Sequence, residues 1–158
     1  MKTLKFVSSI AERAMHKVPV TFNLSSSDYT VPLAFTMYHN KQVVYHIDHV
    51  ANLQTVNIVL EHTDDDQELS WEMSGKTLEH TIIDNKGNII KDAALITDNF
   101  ALDGHKLEQL LIDNCIYYHD SNSTGNPITA TYDNYLGWNG KVIFKFTAPA
   151  YIWLLKNW

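Results

Sequence analysis

One cysteine, one arginine, and no apolar run of membrane length mark this 158-residue chain. The single thiol, Cys115, cannot form an internal disulfide, so the fold does not rely on oxidising surroundings. Twelve basic residues stand against 18 acidic ones, for a net charge of −6. Neutralising phosphates needs clustered Lys and Arg, and none of the basic residues cluster, which excludes a nucleic-acid-binding surface. No stretch approaches the roughly 18 consecutive apolar residues of a membrane helix, so no membrane insertion is expected. Nucleophile elbow, phosphate loop, dinucleotide fingerprint and zinc spacing are all missing, and a non-enzymatic protein is expected. Asp92, Asp98 and Asp103 show no pattern that would select a glycosidase-like carboxylate pair.

What is present is a run of short alternating segments. Hydrophobic residues make up 45% of the chain, enough at this length for the core of one domain. Val18, Val20, Phe22 and Leu24 alternate with Thr21 and Asn23. Leu33, Phe35 and Met37 follow, then Val43, Tyr45 and Ile47, then Val56, Ile58 and Leu60. Strands at this spacing with turn residues between them indicate a sandwich or barrel. At the N-terminus, Ser9-Ile10-Ala11-Glu12 has the form of a capping box. Residues 1–18 are therefore read as a short helix lying on the sandwich, or as an arm that docks on a neighbour. Residues 19–158 are read as one β domain.

The most informative stretch is Trp71 to Gly104. Leu69, Trp71 and Met73 form a strand that Gly75 ends. Asp84-Asn85-Lys86-Gly87-Asn88 between Thr81-Ile82-Ile83 and Ile89-Ile90 predicts a hairpin. Ile96, Phe100 and Leu102 share one parity and Thr97, Asn99 and Asp103 the other, which reads as a strand stopping at Asp103-Gly104. Leu107, Leu110 and Leu111 recur at helical steps, so a short helix is expected to plug one end of the core. His119 to Asn126 reads as a surface loop. Val142, Phe144 and Phe146 make a last core strand. After Pro149 the chain ends in a short helix or an extended aromatic tail.

The pattern GK, HT, D-x-x-GNI-x-x-D, LDG and LGWNG before an aromatic-rich ending resembles small β-sandwich proteins of tailed bacteriophages. The D…GNI…D…LDG part also resembles calcium-dependent xylan-binding modules. The fold expected is all-β, an antiparallel jelly-roll-like sandwich with one short internal helix and short helices as one reading of its two ends. The first resemblance implies a structural part of a virion, such as a capsid decoration, neck or tail-associated protein. Other virion proteins and further copies of the chain would be its partners. Met1 to Ser9 is too short and too polar for a secretory leader, so assembly in the bacterial host cytoplasm is expected. The second resemblance implies a module that recognises host surface glycans.

Sugar binding needs flat rings with polar neighbours. Tyr132, Tyr135 and Trp138, with Asn134 and Asn139, supply both in one region, though Trp138 reads first as filling the end of the sandwich and only second as a stacking ring. Calcium prefers six to eight oxygen ligands, which Asp64, Asp65 and Asp66 could begin to supply. The second resemblance adds Asp84, Asn88 and Asp92 as further calcium candidates; no other cofactor is expected. His46 and Asp48 project to one face of a strand and His49 to the other, so these three do not form a metal site without a bend. Tyr151, Trp153 and Trp158 are interface candidates, with packing beneath the domain's own sheets as the competing reading.

Overall fold

The structure is a computed structural model and describes residues 15–62 and 65–158. Two antiparallel sheets face each other across an aromatic core. The first is built on β1 (His16–Ser26), flanked by β4 (Gln54–His62) and β8 (Leu95–Leu102). The short strands β9 (His105–Lys106) and β12 (Tyr135–Leu136) pair with β8. The second sheet has six strands. Its order is β11 (Ile128–Ala130), β10 (Cys115–His119), β13 (Gly140–Thr147), β5 (Asp66–Ser74), β2 (Ala34–His39) and β3 (Gln42–Ile47). This is the expected all-β sandwich, with helix α1 (Glu108–Asn114) inside the chain and helix α2 (Ala150–Asn157) at its end. No helix among the described residues is long and apolar enough to cross a membrane.

Alternation explains the core. Val18, Val20, Phe22 and Leu24 on β1 face Leu69, Trp71 and Met73 on β5, and all are buried. Phe100 is the hinge of the packing, stacked 4.7 Å from Phe22 and 4.8 Å from Trp71. Leu107 and Leu111 of the α1 segment are buried at one end, as their spacing predicts. The terminal helix brings Trp153 edge-on to Phe144 at 5.3 Å, which excludes the extended-tail alternative.

Two expectations change, and a third falls outside the described residues. Strand β1 runs back to His16, paired with His62, so the sheet begins before the boundary drawn at residue 19. The capping box of Ser9 to Glu12 lies outside the described residues. On β8 the parity is not constant: Leu95 and Thr97 are buried together with Phe100 and Leu102, and Ile96 is on the other face. A bulge is the reason. Asn99 takes a left-handed φ of 54°, and the register with β1 shifts between Thr21 and Asn23. One extra residue reverses which side chains point inward.

The hairpin forms as expected but joins neither sheet. Among the described residues, strands β6 (Thr81–Ile83) and β7 (Ile89–Asp92) pair only with each other, after a 3-10 turn at Leu78–His80. Its turn is closed by Asp84, whose Oδ1 accepts from the backbone N–H groups of Lys86 and Asn88, with Gly87 at φ 83°. Its base is fastened to the β1–β2 connection. The Ser27 hydroxyl donates to the Asp92 carbonyl at 2.8 Å, and Lys91 Nζ lies 3.1 Å from Asp28. The Thr30 hydroxyl and then Lys91 hold the Asp28 carboxyl down at about 2.

The bulge makes a prediction. An L-residue with a β-branch resists left-handed backbone by about 1–2 kcal/mol. Asn99→Val should therefore lower the unfolding free energy measured by urea titration by that much, while Asn99→Gly should leave it near the parent value. Equal midpoints for all three proteins would count against a left-handed residue 99.

Candidate functional site

All the resembling motifs except LDG, which lies at the far end of β8, contribute to one end of the sandwich, around a buried cation. Gly75 turns the chain out of β5 at φ 94°, and Lys76 follows with its side chain only 2% exposed. An ammonium taken out of water needs partners to offset its desolvation. Lys76 Nζ donates to Asp92 Oδ1 and to the Gly137 carbonyl, both at 2.6 Å. Asp92 also accepts from the Thr81 hydroxyl at 2.7 Å. Asn139 closes the frame: its Oδ1 accepts from Lys76 N at 3.0 Å and its Nδ2 donates to the Lys76 carbonyl at 2.8 Å. GK, HT, GNI-x-x-D and LGWNG thus describe a single structural lock.

Exposed rings stand on this lock. Tyr135 is half exposed, with its hydroxyl 3.4 Å from Asp92 Oδ2. Desolvation, then the Asp92 charge, pushes that phenol above its ordinary pKa, so it is a neutral donor. Trp138 is 42% exposed, and one face of its indole lies flat on His119, centroids 4.3 Å apart and planes 5° from parallel. Its backbone is gripped by buried Tyr117, whose hydroxyl donates to the Trp138 carbonyl at 2.5 Å and accepts from its N–H at 3.1 Å. Burial drives the Tyr117 phenol up to about 12, which keeps that donor protonated. The backing His119 is fixed in turn, its Nδ1 accepting from Ser121 N at 3.1 Å.

The loop read as surface, His119 to Asn126, turns out to brace the platform. Ser121, Asn122 and Ser123 all adopt left-handed backbone, with φ of 53°, 59° and 68°. That winding brings Asn122 Oδ1 to 2.7 Å from Asn139 N. At Gly140 an added Cβ would sit 2.3 Å from the Tyr118 carbonyl, so LGWNG needs its second glycine for close approach to β10.

The candidates named from sequence divide. Tyr135 and Trp138 are brought to one rim. Tyr132 is 0% exposed, edge-on to Trp71 and hydrogen-bonded to Thr97 at 2.6 Å, so its ring has no free face for a ligand. Asn139 has its side chain engaged with the Lys76 backbone. Asn134 serves the backbone at φ 59°, its carbonyl accepting from Thr97 N at 2.9 Å. Lys76 and His119, the two residues that build the platform from beneath, were not singled out in the sequence. Neither alternation nor motif spacing signals a lysine turned inward; only the unexplained G-K pairing pointed at it.

The described residues considered for calcium do not converge. Asp84 and Asn88 bond to each other at the hairpin tip, with Asn88 Nδ2 donating to Asp84 Oδ2 at 3.0 Å. Asp92 lies three residues further down the hairpin, about 10 Å away, and is engaged by Lys76. Asp65 and Asp66 are exposed at the start of β5, and Asp64 lies outside the described residues. Among the described residues no three His, Cys, Asp or Glu side chains form a metal-holding group. His46 and Asp48 share a face as expected, 2.7 Å apart, and His49 turns away to the Tyr29 carbonyl.

Of the interface candidates, Trp153 belongs to the core and Tyr151 and Trp158 are exposed. With His105, Leu154 and Leu155 they line an apolar cleft of about 470 Å³.

No family model matches the chain, and no curated protein matches it. Among solved structures it is similar to "vCBM60 in complex with galactobiose", at 11% identity and a TM-score of 0.47, over 80% of this chain and 96% of that one. Likeness at this level does not carry a ligand from one protein to the other.

The lock is testable. Removing one member of a buried ion pair typically costs about 3–5 kcal/mol. Lys76→Met should destabilise the protein in that range, and the pair Lys76→Met with Asp92→Asn should cost less than the sum of the two single changes. Additive losses in denaturant titrations would show that the two groups do not act together.

Proposed function

We propose that this protein is a non-catalytic carbohydrate-binding module whose binding surface is the rim formed by Trp138 and Tyr135. The observation that carries this reading is the Trp138–His119 stack. A sugar's apolar C–H face packs on an aromatic ring, and the ring contributes most when it is already held still. Here one indole face is backed by an imidazole, the backbone is clamped by Tyr117, and the rest of the ring opens to solvent. Around it stand the groups that hydroxyls seek: the Tyr135 phenol, the Asp92 carboxylate and the Asn122 amide. The one buried cation beside the rim is neutralised by Asp92, so uncharged hexoses suit the site better than acidic ones.

A second reading, a structural component of a tailed-phage particle, requires a surface for contacts with other proteins, and the terminal helix offers one. Leu155 and Trp158, at about 80% exposure, project from the terminal helix beside an apolar cleft. Surfaces of that kind mark contacts with other proteins. The two roles are compatible, since a particle protein can present a sugar site. Mass spectrometry of purified particles should find the protein if it is a virion component, and its absence there would remove this reading.

The glycan reading is tested on an array of neutral and acidic oligosaccharides, followed by calorimetry with the best neutral binder. Trp138→Ala should weaken binding at least tenfold, or about 1.4 kcal/mol, with the fold intact by circular dichroism. Tyr132→Phe should leave affinity unchanged. Absence of any binder, or a Trp138→Ala protein that binds like the parent, would refute the proposal.

A further inference from the structure

The chain segment that carries the rim leads into a groove at the edge of the first sheet. Strand β8 has β1 along one edge, and on the other it pairs with β12 at Leu95 and Ile96 and with β9 at Ala101 and Leu102. Among the described residues no strand covers that second edge in between. The Asn134 carbonyl, accepting from Thr97 N, closes the gap on one side, and Leu107 N, donating to the Phe100 carbonyl, closes it on the other. Only Asp98 and the bulged Asn99 are left between these closures, fewer than the shortest ordinary strand, which excludes an added peptide strand. The result is a groove of about 310 Å³, with residues of α1 along it.

Its lining fits a sugar. Asp98 and Glu108 bring carboxylates, Asn99, Gln109 and Asn134 bring amides, and Lys106 brings one ammonium. Phe100, Leu111 and Ile112 supply apolar surface beside them. Polar groups converging over apolar walls match a sugar ring, which presents hydroxyls around an apolar C–H face. Among the described residues, the side chains of Asp98, Asn99, Lys106, Glu108 and Asn134 make no hydrogen bond or ion pair inside the chain. Gln109 uses only its Nε2, which donates to Asp113 at 2.8 Å. Two carboxylates against one ammonium leave the groove slightly negative, which disfavours acidic sugars and phosphates.

The backbone adds a separate sign. Three lining residues, Asn99, Glu108 and Asn134, have left-handed φ of 54°, 38° and 59°. Asparagine tolerates that region, whereas glutamate is held there at a cost, and such strain gathers at functional sites.

We infer that this groove is a second sugar subsite, which takes the further residues of a neutral oligosaccharide whose end lies on the Trp138–Tyr135 rim. The inference rests on the glycan reading of that rim. Continuity carries it: Asn134, which lines the groove, directly precedes Tyr135, and Trp138 follows four residues after Asn134, within about 14 Å at full extension. A chain of a few hexoses bridges that distance, and a single sugar does not.

Calorimetry of the intact protein with gluco-, galacto-, manno- and N-acetylglucosamine oligosaccharides, each from disaccharide to hexasaccharide, tests the subsite. Affinity should rise with length by about tenfold, the effect of one or two net hydrogen bonds. Asn99→Gly keeps the left-handed backbone and removes the amide, and Gln109→Ala keeps the helix. Each should lower hexasaccharide affinity several-fold and leave disaccharide affinity and melting temperature as in the parent. Glu108→Gly should act on affinity in the same way without lowering the melting temperature, because glycine relieves the strained φ. Trp138→Ala should weaken binding at every length. Affinity that is flat with length, groove variants that bind hexasaccharide like the parent, or variants that weaken both lengths alike would each overturn the subsite and leave the rim standing. Binding by none of the oligosaccharides would overturn the subsite together with the glycan reading on which it rests.

Discussion

The end of the sandwich that carries the exposed rings depends on a lysine held out of water. Placing an ammonium in a protein interior costs several kcal/mol unless its donors are engaged. Lys76 engages Asp92 and the Gly137 carbonyl, and its own backbone is bracketed by Asn139. Three segments remote in sequence must therefore arrive together: the exit of β5, the base of the β6–β7 hairpin, and the loop from Asn134 to Gly140. A nonpolar core would bring such segments near one another. The ion pair and its hydrogen bonds set their relative positions, because a charge pair loses its compensation within an ångström or so of misplacement.

From that lock the two surfaces of interest follow. On one side, fixing Gly137 and Asn139 leaves Trp138 between them with little freedom, and His119 and Tyr117 set the plane of its ring. On the other side, fixing Asp92 anchors a hairpin that would otherwise be too small to persist. Rigidity at the base thus serves different chemistry at the two surfaces. The rim combines an aromatic plane with hydroxyl, carboxylate and amide groups. The hairpin exposes four isoleucines among Asp84, Lys86 and Lys91.

Much of the fold was legible because burial on a strand repeats every second residue. The strands around Phe22, Phe35, Trp71 and Phe144 could be read this way, while the turn at Asp84–Asn88 was legible from its turn residues and the helix after Leu107 from leucines at three- and four-residue steps. The reading failed on β8, where the left-handed Asn99 inserts one residue and exchanges the faces, and no side-chain pattern announces a bulge. The site was legible only as ingredients. Tyr132, Tyr135 and Trp138 look alike in sequence, yet Thr97 and Trp71 claim the first for the core while the other two reach solvent. Asp84 and Asp92 share one motif, yet one lies at the tip of the hairpin and the other at its base.

By itself the sequence determined the class of fold and the turns, since these rest on local periodicity and on which residues tolerate a tight or left-handed backbone. The low count of basic residues and the single thiol also set the expectation of no nucleic-acid partner and no internal disulfide. Only the tertiary structure decided which aromatic rings are free, that Lys76 is a buried strut, and that the hairpin stands outside both sheets. Those outcomes depend on contacts between segments some 15 to 65 residues apart, and the energy of such a contact is set by geometry that no window of sequence contains.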